Sequence, residues 1–175
     1  MFRRLRETAP GLLVPLAWTF VAAAHADLVV TRTVVIAHVV MSVLLAAFAL
    51  TSYRDMREGV LRVWLWVIVL GFGVTVVGTA SFLIEGPTAA MQTATVVGWL
   101  TLPAVALVYT GRATAGRNGL IYAAGGVLSL VGAAAYLAAP VAGELGLYAG
   151  LVAGNVGQTA GILTAVTQSR LVVES

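Results

Sequence analysis

Histidine is the first place to look for chemistry in this sequence, and it occurs twice, as His25 and His38. A haem b gripped at both axial positions needs two imidazoles on facing helices at one depth. His25 lies about two residues from the end of one apolar run, whereas His38 lies about eight residues, or roughly 12 Å, into the next. The pair is therefore mismatched in depth by about two helical turns. His25 holds the place in its segment that Phe82 and Tyr136 hold in theirs, where rings settle at the headgroup level. His38 sits in VVIAHVVMSVLL, apolar on both sides. It must find a partner inside a bundle, as a hydrogen-bonded structural residue, a ligand- or proton-handling one, or a haem ligand.

The same depth count gathers a second set. Trp18, His38, Thr75, Trp99, Ser129, Asn155 and Gln158 fall roughly 12 to 18 Å below one surface, at about 1.5 Å per residue. Facing inward, they would line a small polar and aromatic pocket, with His38, Trp18, Trp99, Asn155 and Gln158 as its ligand-binding groups. The plain alternative is a scatter of hydroxyls bonded to their own helices. No catalytic residue is expected. There is no GxSxG, HExxH, P-loop or spaced metal motif, and Asp27, Glu85 and Glu144 all lie at segment ends. A carboxylate proton relay through the apolar layer is thereby disfavoured, any proton path would need His38, no metal site is expected, and an enzyme is disfavoured.

These residues need six apolar segments to hold them. Of 175 residues, 60% are hydrophobic and 10% charged, with a mean hydropathy of +0.98, which excludes an ordinary soluble domain. The expected spans are 10–27, 30–51, 60–84, 88–109, 119–139 and 146–166, an all-α, six-helix membrane bundle of three sequential helical hairpins in one domain. Pro87 and Pro140 mark hairpin tips, loosened by Gly86 and Gly143. Pro103 falls inside the fourth span, and lipid-embedded helices accept such a kink only where neighbours cover the freed carbonyl. In the last span Gly146, Gly150, Gly154, Gly157 and Gly161 recur at helical spacing, a small-residue stripe that lets another backbone approach. That helix reads as the inner member of the bundle.

All ten basic residues are arginine. Without lysine there is no Schiff-base chemistry and no retinal pigment, and with zero cysteines there is no thiolate or disulfide. A pI near 9.8 would suggest nucleic acid in a soluble protein, but topology explains these arginines better. Six spans place Arg3, Arg4, Arg6, Arg54, Arg57, Arg62, Arg112, Arg117 and Arg170 on one side and Arg32 alone on the other. The positive-inside rule then puts both termini in the cytoplasm, in the plasma membrane of a prokaryote of Ala/Gly/Val/Arg-rich usage. Tyr53, Trp64, Trp66, Tyr109 and Tyr122 form an interfacial belt on that side, where Arg62 can snorkel. In SYRDMREGVLR, Asp55 and Glu58 are expected to pair locally with arginines. The amino-terminal span is expected to be retained, although Ala24 and Ala26 offer a peptidase-like site.

Arg54, Arg112 and Arg170 are spaced 58 and 58 apart, and VGTASFL at Val77 resembles VGAAAYL at Val131. Three hairpins of one size would produce this. Six spans, both termini inside and a mass of 18.1 kDa resemble the architecture of the substrate-binding components of energy-coupling-factor vitamin transporters. That resemblance covers the whole chain without a motif, AAAHA with Ala22 and Ala26 being the nearest small-residue pair. It implies a small-molecule-binding or transport-related bundle. Two other readings are a structural, accessory or assembly subunit, alone as a homo-oligomer or with a membrane partner, and a haem- or quinone-associated redox subunit. The lipid bilayer is the partner common to all three.

Overall fold

The computed structural model describes side chains for residues 12–168 and helical backbone from Phe2 to Glu174. The expectations for Arg3, Arg4, Arg6, Pro10 and Arg170 fall outside the described side chains. Six helices follow one another: α1 Phe2–His25, α2 Thr31–Ser52, α3 Gly59–Ser81, α4 Ala89–Ala113, α5 Gly116–Leu137 and α6 Ala139–Glu174. Five of them are long and apolar enough to cross a membrane, and α1 adds a shorter apolar stretch, Leu12–His25. The chain is a multi-pass membrane protein. Helix is the form such segments must take, because in hydrocarbon each backbone N–H and C=O has to be satisfied within its own segment.

The breaks fall where the turn residues stand. Gly143 has φ 64 and ψ −153 within the first turns of α6. Glycine adopts that left-handed φ without steric cost, and the helix takes a new direction there. Pro140, just before it, sits where a missing N–H is harmless. Asp27, in the turn after α1, has φ 56, a conformation that Asp tolerates better than most residues.

Consecutive helices form three hairpins, but they pack as an arc in the order α2, α3, α4, α5, α6, α1, with α4 also touching α6. In the first hairpin α1 lies against α6 and, among the described residues, shares no packed seam with α2, although only residues 26–30 join them. Composition explains the choice. Glycines on α6 admit Trp18 and Leu100, whereas α2 has Val34 as its one buried residue. Trp18, Leu100, Ala133, Tyr136 and Leu151 form the buried centre of the arc.

The glycine stripe of α6 serves two seams inside the chain. Gly150 and Gly157 turn to α5, where a side-chain carbon at Gly150 would come within 2.7 Å of the Gly132 carbonyl oxygen, and one at Gly157 would collide with that of Gly125. Gly154 and Gly161 turn to α4 and receive Leu100 and Leu107. Gly146 rests against the carbonyl oxygen of Ala135. Sequence reading overlooked the matching glycines of α5. Gly125 and Gly132 face α6, while Gly119 and Gly126 face Gly111 and Ala104 of α4. Each pair is spaced by seven residues, two helical turns, which is the signal that would have revealed both seams.

Candidate functional site

The buried centre is polar at one point, and α4 dictates where. Pro103 lies inside α4 and has no N–H, so the carbonyl of Trp99 loses its partner four residues on. Gln158 of α6 supplies the missing donor: its Nε2 donates to the Trp99 carbonyl oxygen at 2.8 Å. The same nitrogen donates to Ser129 Oγ at 3.0 Å, and Ser129 in turn donates to the Leu100 carbonyl oxygen at 2.8 Å. Two consecutive carbonyls at the proline are thus held from outside their own helix. On its other side, Gln158 Oε1 accepts from Trp18 Nε1 at 3.0 Å. Trp99 closes the layer, its Nε1 donating to Thr75 Oγ1 at 3.1 Å while its ring covers Gly71.

Ser129 is fully buried, and Gln158 is 5% exposed. Both amide hydrogens of Gln158 are engaged, and its oxygen has accepted one bond. Among the described residues, no buried side-chain nitrogen or oxygen lacks a partner. Such a closed network holds four helices, α1, α4, α5 and α6, in one register.

The expected pocket residues divide. Trp18, Trp99 and Gln158 come together, with Thr75 and Ser129 from the same depth. His38 and Asn155 stand apart. His38 lies on the edge helix α2, where its Nδ1 bonds to the Val34 carbonyl at 2.9 Å and its ring meets Phe82 edge-on at 5.6 Å. A carbonyl only accepts, so Nδ1 carries the proton, and the other edge of the ring rests on Gly78 of α3. Asn155 is half-buried on the flank of α6, accepting a 3.0 Å bond from Thr159 one turn along. Equal depth was a correct guide to level and no guide to direction.

Comparison with protein families, curated proteins and solved structures returned no match for the chain.

His25 also has a partner that its position did not foretell. Its Nδ1 bonds to the Val21 carbonyl at 2.9 Å, and its Nε2 meets the hydroxyl of Tyr136 at 2.9 Å, with the rings edge-on at 5.7 Å. In the neutral ring, Tyr136 is the donor. With Nε2 of His25 engaged by α5 and His38 on a helix that α1 does not pack against, the two rings do not form the axial pair of a haem. No group of three His, Cys, Asp or Glu residues is placed to hold a metal among the described residues.

Most remaining hydroxyls bond to their own helices: Thr75 to Gly71, Thr95 to Met91, Thr101 to Val97, Thr110 to Ala106 and Thr164 to Ala160. Two cross-helix bonds anchor the arginine-bearing end, from Trp64 Nε1 to Thr110 at 3.1 Å and from the Tyr122 hydroxyl to Gln168 at 2.7 Å. The local ion pairs expected around Asp55 and Glu58 do not form among the described residues. Instead the Arg57 guanidinium lies 5.1 Å from the centre of the Tyr53 ring. In an exposed loop an ion pair gains little, and stacking on a ring is a comparable alternative.

Proposed function

We propose that this protein is a structural or accessory subunit of a membrane assembly, acting through its apolar outer surface and not through a polar site. The observation that carries this is that both polar atoms of Gln158 are already engaged inside the bundle. The residues best suited to recognise a small molecule are engaged in closing the gap at Pro103 and fixing four helices. Support also comes from α2, which among the described residues packs chiefly against α3 and exposes Ile36, Val40, Val43 and Phe48, an edge to which a second copy or a partner helix can add. The arginine asymmetry supports a plasma-membrane placement with both termini cytoplasmic, and the composition supports a prokaryotic source. Purification in mild detergent with an absorption spectrum and native mass spectrometry tests the reading. It predicts no visible chromophore, no bound small molecule other than lipid, and a defined oligomer or co-purifying membrane protein. A retained non-lipid ligand that is lost in Gln158→Leu would overturn it.

One observation favours small-molecule binding or transport instead. The ends of the arc, α1 and α2, share no packed seam, and His38 Nε2 has no hydrogen-bond partner among the described residues. On that reading His38→Ala abolishes binding, whereas the structural role leaves assembly unaffected by it.

A further inference from the structure

A cleft of about 180 Å³ runs along the outer side of the α3–α4 seam, lined by Val63, Trp66 and Leu70 from α3 and Thr101, Leu102 and Val105 from α4. Thr101 bonds to the Val97 carbonyl of its own helix, and apart from the Trp66 indole N–H the other walls are hydrocarbon. Trp66, Leu70 and Val105 are each about half exposed, so the cleft opens where lipid tails lie.

What distinguishes this cleft from any other lipid-facing furrow is its charged mouth. The hydrogen bonds Trp64–Thr110 and Trp99–Thr75 fix the antiparallel register of α3 and α4. That register sets Arg62 level with Arg112. Arg62 lies one turn beyond Trp66 and Arg112 two turns beyond Val105, both past the same end of the cleft. Both are exposed, and neither forms an ion pair among the described residues. Tyr109, 46% exposed, lies one turn beyond Val105 on the same flank. Two free guanidiniums and a phenol at the headgroup level, above a hydrocarbon-lined slot, match one kind of molecule. Guanidinium forks bind phosphate oxygens, and basic groups beside a bilayer surface favour anionic lipid.

We propose that the α3–α4 cleft is a binding site for an anionic glycerophospholipid, with an acyl chain in the cleft and the headgroup phosphate between Arg62 and Arg112. Native mass spectrometry of the full chain, loaded with phosphatidylglycerol or with phosphatidylcholine of the same acyl chains, tests this. The expected result is selective retention of phosphatidylglycerol. Arg62→Gln with Arg112→Gln weakens it about fivefold per arginine, so about 25-fold for the pair. Val105→Trp fills the slot and reduces retention of phosphatidylglycerol even with both arginines present. If Val105→Trp fails to fold, the exposed arginine pair carries the test alone. Equal retention of the two lipids overturns the proposal. So does a preference unchanged in the arginine variant, or a cleft occupied by a second copy of the chain.

Discussion

The amide nitrogen of Gln158 lies 2.8 Å from the carbonyl oxygen of Trp99, the oxygen that Pro103 deprives of its helical partner. A residue on the sixth helix therefore repairs a defect in the fourth, and a third helix assists through Ser129. Kinked helices in lipid need such outside donors, because no water is present to stand in.

Removing that donor should be felt. Gln158→Leu leaves the Trp99 carbonyl and the Trp18 indole N–H without partners in the buried layer, a loss of about 2–3 kcal/mol at the usual cost of an unsatisfied group. Asn155→Leu removes one bond on the half-buried flank of α6 and should stay under about 1 kcal/mol. Reversible unfolding of each variant in mixed micelles compares them. Equal losses would show that the buried layer is nothing special.

The glycine seams make a sharper demand. Gly157 faces the Gly125 carbonyl with no room for a side chain, so Gly157→Leu should force α5 and α6 apart and lose about 3 kcal/mol or more, above the usual range for overpacking. Gly73 on α3 has nothing within 4 Å of where a side-chain carbon would stand, and Gly73→Ala should be tolerated. Folded yield and thermal stability of the two variants decide between this and a uniformly forgiving helix surface.

The chain has no cysteine, so a single introduced thiol reports one surface. Val43→Cys on α2 should form a disulfide-linked dimer or a cross-link to a partner in native membranes, whereas Val127→Cys on α5, exposed to a similar degree, should not. Failure of α2 positions to cross-link anywhere along the helix would remove the edge on which the accessory role depends.

The helices were legible because hydrophobic length alone calls them, and Gly143 and Pro140 sit where the last break occurs. The candidate site was legible in depth: Trp18, Thr75, Trp99, Ser129 and Gln158 do share a layer. Direction was not legible, since it depends on which helices become neighbours. His38 pointed into the site only if α2 closed against α1, and α2 instead lies at the edge of the arc. The requirement at Pro103 and the polar group at Gln158 could each be read from the chain. Their pairing could not, because it needs α4 and α6 in contact across 55 residues of sequence.

A double-mutant cycle between Pro103 and Gln158, read as unfolding free energy, is the most direct test. Pro103→Ala restores an N–H to the Trp99 carbonyl within α4. If Gln158 serves that carbonyl, Gln158→Leu should cost about 1 kcal/mol less in the Pro103→Ala background than in the wild type. Losses that agree between the two backgrounds to within about 0.3–0.5 kcal/mol, the range for independent sites, would contradict it and leave Gln158 free for some other role.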